Sequence, residues 1–256
     1  MAKINILIKT NANPIIERGI AVPLYQYFYE HSTTIRSAGK IEYLITDKQN
    51  VDKHATEPAV YNEVAKALAR VHSIPYSALP LSIKYNDCDD WNWNTNCTYQ
   101  YLKTAWNGGD VPRVADRLGI PESEMDNEYK WIAEMVQKGA PGVMFFSHND
   151  PHGGNMMIHV EDGNADPTTY QLIDFDNAEF GYRAWDYEYY FCHMSPVLTT
   201  EQEDEFLLSY LSVFNELNEQ KYTLEEIRFE SEHHRPYVLM EQMLLFRNRF
   251  LIFILV

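Results

Sequence analysis

Residues 143–155, VMFFSHNDPHGGN, and 170–176, YQLIDFD, decide how this chain is read. VMFF at 143–146 is an apolar run that ends in polar residues. MMIHV at 156–160 and YQLIDF at 170–175 read as strands. The polar stretch between them, with Gly163, Asn164 and Pro167, reads as a loop, so a hairpin is expected. It separates two polar motifs, His148-Asn149-Asp150 with Asn155 on one side and Asp174-Phe175-Asp176 on the other. Taken singly, each motif is also what a turn capping a strand looks like. Their occurrence together and in this order carries the reading.

His-x-Asp, four residues and then Asn is the template of a kinase catalytic loop. Kinase-fold enzymes also need a second carboxylate after a hairpin, for the metal ions that bridge the nucleotide phosphates. Phosphoryl transfer asks for a carboxylate near the attacking hydroxyl, and Asp150 is the candidate to orient it and accept its proton. Asn155 and Asp174 would then hold Mg²⁺, which prefers hard oxygen donors and completes its octahedron with phosphates and water. His148 is assigned, within the catalytic loop, to bracing rather than to chemistry.

A loop written His-Asn-Asp, with Gly153 and Gly154 before the Asn, resembles the choline/ethanolamine kinase family. The likeness extends through LIDFDNAEFGYRAWDYEYYFC, where Tyr182, Arg183, Asp186, Phe191 and Cys192 fall in the family's register. Upstream, GKIEYLI at 39–45 looks like its inter-lobe hinge and LARVH at 68–72 like the following helix. Residues 20–73 match loosely and 125–194 closely. The resemblance implies an α+β, bilobal protein-kinase-like fold. A small, truncated β-rich nucleotide-binding lobe would occupy residues 1–50, and a mainly helical catalytic and substrate-binding lobe residues 51–256. It implies ATP and Mg²⁺ as cofactors, and choline or ethanolamine as the alcohol phosphorylated, in phospholipid biosynthesis. The backbone of Glu42, Tyr43, Leu44 and Ile45 would meet adenine, and Lys9 the nucleotide phosphates. Asp186 would brace the catalytic loop, with Arg183 structural beside it. Asp176 would face the substrate ammonium among aromatic rings, a physically sensible cation site. His152 stands in the substrate region where the family usually has Gln.

Other residues depart from that pattern. The family's glycine-containing phosphate loop should precede its first basic residue, yet only residues 1–8 precede Lys9, and Glu17 is a poor substitute for the acidic partner on the next helix. The first lobe therefore reads as shortened. Phe191-Cys192-His193-Met194 stands where the family ends in Glu-Trp, and Leu244, Leu245, Phe246 and Phe250 in the last helix read as core rather than pocket. Two alternatives follow: a catalytically weak pseudokinase acting as a binding or regulatory partner, and an aminoglycoside-type phosphotransferase.

The rest of the chain sets bounds. Of 256 residues, 21 are Lys or Arg and 37 Asp or Glu, a formal net charge of -16. Such a surface repels nucleic acid and anionic membranes and suits a cationic or metal-bridged ligand. Acidity also serves solubility alone. Cys88, Cys97 and Cys192 lack the spacing of a zinc site or disulfide framework, which fits free thiols in a cytoplasmic protein. The apolar run at the start is too short for a signal core, and VLMEQMLLFRNRFLIFILV carries Glu241, Arg247 and Arg249, so it reads as a buried helix rather than a span. A homodimer, or a heterodimer with a full-length relative, is admitted by the reading.

In the first lobe, KINILIK at 3–9 reads as a strand, and VPLYQYFYE at 22–30 and KIEYLIT at 40–46 as a hairpin turned by STTIRSAG. Val60, Val64, Ala67, Leu68 and Val71 recur at helical spacing, predicting a helix from Glu57 to Ser73. Helices are also expected at 98–106, 122–138 and 200–219, then from Leu224, and separately from Pro236 to the end. Residues 75–96 read as irregular, and Trp91, Trp93 and Trp106 have no assigned place.

Overall fold

A computed structural model of the chain describes residues 24–28, 33–36, 42–45, 57–75, 103, 116, 119–139, 144–152, 155–161, 164–172, 174–193 and 198–245. Lys9, Glu17, the strand expected at 3–9, and the three tryptophans lie outside these, as does most of the helix expected at 98–106. The chain separates into two compact units, residues 1–87 with 144–228, and 88–143 with 229–256.

The first unit begins with β1 (Leu24–Phe28), β2 (Thr33–Arg36) and β3 (Glu42–Ile45). β1 pairs antiparallel with β2, Leu24 opposite Arg36 and Phe28 opposite Thr33. This corrects the expected hairpin, because residues assigned to its turn form β2. Thr33, Thr34 and Ile35 are consecutive β-branched residues with strand preference of their own. β3 pairs instead with β5 (Met156–Glu161), and β5 with β6 (Asn164–Leu172), giving the sheet order β3-β5-β6. The loop between the last two strands is also shorter than expected, since Asn164 and Pro167 lie inside β6. Glu161 pairs with Asn164 at the closed end of the hairpin. Pro167 is tolerated because β6 lies at the sheet edge and its register shifts between the paired ends.

Helix α1 (Pro58–His72) follows β3. Pro58 sits at its first position, where the missing N–H has no partner to lose. All five positions of its expected apolar face are buried, together with Tyr61, Ala65, Ala69 and His72. So wide a buried stripe reflects neighbours on more than one side: α1 packs on α4 (Thr200–Leu217), on β6 and on β4 (Phe145–Ser147). Burying each large aliphatic such as Leu68 is worth about 1.5–3 kcal/mol. Polar bonds lock the α1–α4 pair: Tyr61 donates to Glu205, Ser209 Oγ to Asn62 Oδ1 (2.8 Å) and Asn218 Nδ2 to Ser73 Oγ (2.6 Å). Burial and then the Glu205 carboxylate push the Tyr61 hydroxyl up to about 12.

β4 pairs with β7 (Glu179–Gly181), and α3 (Arg183–His193) follows directly. Its rings interleave with those of α4, Tyr190 stacking on Phe206 with centroids 5.3 Å apart.

In the second unit α2 (Glu122–Gly139) buries Met125, Tyr129, Ile132, Ala133 and Val136, again at spacings of three and four. Gly139 ends it against His233, where an added Cβ would collide with the His233 Cβ. α5 (Leu224–Leu245) is one helix, not two, and continues through Pro236. No helix among the described residues is long and apolar enough to cross a membrane.

Candidate active site

The β4–β7 ladder places Ser147 opposite Glu179, so the loop leaving β4 runs beside the turn that precedes β7. Asp186, in the first turn of α3 and fully buried, anchors that loop. Its Oδ2 accepts from the His148 backbone N–H and its Oδ1 from that of Asn149, both at 2.7 Å. Oδ2 also lies 2.9 Å from His72 Nε2, while His72 Nδ1 is 2.9 Å from the Tyr210 hydroxyl. A carboxylate only accepts, so Nε2 donates to Asp186, and the second ring nitrogen is engaged by the Tyr210 hydroxyl. A chain of buried groups thus runs from α4 through α1 to the loop backbone.

Asn149 takes a left-handed conformation, with φ 63°. Asn is one of the few residues that tolerate it, and surrounding bonds hold it there. Asn149 Nδ2 donates to the Asn177 carbonyl (3.1 Å), and Trp185 Nε1 donates to the Asn149 carbonyl (3.3 Å). The His148 ring is buried against Phe175, centroids 4.6 Å apart, and its Nδ1 accepts from the Asp150 N–H (3.3 Å). His148 therefore sits inside the fold, under the loop.

Asp150 is half-buried at the loop's end. The Tyr189 hydroxyl donates to its Oδ1 (3.0 Å), Asn155 Nδ2 to its Oδ2 (3.1 Å), and Asn177 Nδ2 approaches Oδ2 at 3.5 Å. His152 Nε2 lies 3.6 Å from the same Oδ2, a contact that is ionic only when the ring is protonated. The fold brings Asp150, Asn155 and His152 together; Tyr189, Asn177, His72 and Tyr210 were not singled out from the sequence. A faint signal existed in YRAWDYEYY, where Asp186 and Tyr189 are three apart and share a helix face.

Asn155 and Asp174 lie at the same end of the hairpin, because Met156 pairs with Leu172. Asp174 is exposed and, like Asn149, left-handed, with φ 60°. Asn155 donates through Nδ2 both to the Asp150 carbonyl (3.0 Å) and to its carboxylate, which turns the amide oxygen the other way. One amide oxygen and one exposed carboxylate are the hard donors a Mg²⁺ ion takes when phosphates supply the rest. The donor set fits that ion, although no cluster of three or more His, Cys, Asp or Glu suited to a metal occurs among the described residues.

Asp176 lies in the 3₁₀ turn Phe175–Asn177, and Glu42–Ile45 is strand β3, paired to β5 with Glu42 opposite Val160 and Ile45 opposite Met157. Arg183 is buried, its guanidinium carbon 3.8 Å from the Tyr222 ring centre, 4.6 Å from that of Phe145 and 4.9 Å from that of Phe214. The cation thus pins β4 to the end of α4.

The architecture matches solved kinase-like structures. A choline/ethanolamine kinase family protein from Mesorhizobium loti superposes with a TM-score of 0.55 at 11% identity, covering 93% of this chain and 70% of that one. LicA, solved in complex with AMP, gives 0.53 at 15% identity, covering 95% and 71%. These define the fold class as protein-kinase-like. The family model described as choline/ethanolamine kinase matches residues 10–244, and the chain belongs to that family. Human choline/ethanolamine kinase is 25% identical over 185 residues, which cover 70% of this chain and 40% of the human protein. The chain spans less than half the length of the curated relatives it matches.

Proposed function

We propose that the protein transfers the γ-phosphoryl group of ATP to the hydroxyl of choline or ethanolamine. One observation carries the reading: the Asp150 carboxylate is held by Tyr189 and Asn155 at the end of a loop hung on buried Asp186. Membership of the family supports the substrate class, and the AMP complex of LicA supports a nucleotide site. The lobe division at residue 50 and a cytoplasmic location belong to the same proposal.

Asp150 orients the acceptor hydroxyl and takes its proton as the oxygen attacks phosphorus. Loop rigidity from Asp186 and His72 fixes that carboxylate in place, and positioning is the larger part of catalysis in this chemistry. Asn155 and Asp174 would hold Mg²⁺, which would supply neutralisation of the phosphate charge. The backbone of Glu42–Ile45, paired with the strand that follows Asn155, would receive adenine, and Lys9 the phosphates. Asp176 and His152 would receive the acceptor's ammonium end.

Asp150→Ala is the test. It is expected to lower kcat by about a hundredfold or more while leaving the dissociation constant of ATP within about twofold, because Asp150 acts on the acceptor. A kcat equal to wild type would remove Asp150 from the mechanism. Wild-type protein that binds nucleotide without acceptor-dependent turnover would instead mark a pseudokinase.

A further inference from the structure

The two carboxylate oxygens of Asp150 are unequally engaged. Asn155, Asn177 and His152 all approach Oδ2, at 3.1, 3.5 and 3.6 Å, whereas among the described residues Oδ1 accepts from Tyr189 alone, at 3.0 Å. Each carboxylate oxygen offers about two lone-pair sites, so Oδ2 is crowded and Oδ1 keeps one.

We propose that Tyr189 is a positioning residue for phosphoryl transfer, its hydroxyl holding Asp150 so that Oδ1 receives the acceptor's proton. The proposal rests on the phosphotransferase reading above and adds to it a residue and an oxygen. Tyr189 is well placed for the task, being 6% exposed with its ring against Trp185, centroids 5.9 Å apart. Trp185 in turn donates to the Asn149 carbonyl, and Asp186 accepts from the N–H groups of His148 and Asn149. One helix therefore fixes three consecutive loop residues, and a site carried on a helix is held more precisely than one carried on loops alone.

In the transfer, the acceptor oxygen bonds to the γ-phosphorus and the bond from that phosphorus to the bridging oxygen breaks. ADP leaves with the electron pair, and the hydroxyl proton passes to Asp150 Oδ1. The terminal torsion of an Asp side chain is broad. Without the Tyr189 hydroxyl the carboxylate can rotate and offer its crowded oxygen, which reduces the fraction of encounters with productive geometry.

The experiment is Tyr189→Phe, alone and in an Asp150→Ala background, with kcat and both KM values measured with ATP, Mg²⁺ and choline or ethanolamine. Phe keeps the ring packing and removes only the hydroxyl. The expected loss in kcat is about tenfold, the scale of one hydrogen bond to a charged group, with both KM values within about twofold. Added to Asp150→Ala, the change is expected to leave the residual rate as it was, since a group acting through Asp150 has nothing left to position. A wild-type kcat in Tyr189→Phe, or a further loss in the double variant, overturns the role of Tyr189 and leaves the phosphotransferase reading standing. Wild-type protein with no acceptor-dependent turnover overturns both.

Discussion

At the residue scale the site depends on one buried carboxylate. Asp186 takes two backbone N–H groups and faces His72, so its removal strands three donors in the interior. Asp186→Asn preserves shape but replaces an acceptor oxygen with an amide that opposes a donor. Breaking a buried charged network costs about 3 kcal/mol or more, which urea unfolding would register, with kcat falling alongside. Retention of both stability and kcat would separate Asp186 from the loop. A second buried group sets acid stability. Burial, and then the neighbouring His233, push the His234 ring down from 6.5 to about 4, against the opposing bond to the Glu230 carbonyl. The unfolded chain binds a proton below about pH 6.5 that the folded chain refuses until about 4. The contribution of His234 to stability is therefore fully present above pH 6.5 and is lost progressively as the pH falls through that window. Urea unfolding at pH 7 and pH 5 is expected to show a smaller acid loss in His234→Leu than in the wild type; equal losses would refute it. Of the candidate site, His148, Asp150, Asn155 and Asp174 could be singled out from the sequence because they fall within short motifs around one hairpin. His72, Tyr210 and Tyr189 come from three helices, and only the tertiary fold brings them to the loop.

At the element scale, legibility followed periodicity. The α1 stripe was readable because its period is that of a helix, and every position in it is buried. Strand partners were not readable, because the residues of β1, β2 and β3 announce strands without announcing which edges meet. Pairing β3 with β5 joins segments more than a hundred residues apart. Pro236 misled in another way: proline disfavours a helix interior locally, yet α5 runs through it, with Tyr237 and Val238 buried just beyond. Thr199 accepts from the Gln202 N–H (3.3 Å) and Gln202 Oε1 accepts from the Thr199 N–H (2.9 Å), a reciprocal cap for α4. Thr199→Ala is expected to cost about 1 kcal/mol in urea unfolding with kcat unchanged, since it touches none of the loop. A drop in kcat at full stability would show that α4 does more than support.

At the scale of the whole molecule, the kinase-like fold and the family match agree with the motifs from which the reading began. The formal charge of -16 fits the cationic acceptor proposed above better than an anionic one. On the proposed function, phosphate reaches a small amino alcohol by way of Asp150. The most direct measurement is phosphocholine and phosphoethanolamine formation by the purified protein with Mg²⁺ and ATP, wild type against Asp150→Ala. Acceptor-dependent product from the wild type, lost in the variant, is the predicted result. Product formed equally by both proteins, or by neither, would rule out phosphoryl transfer through Asp150.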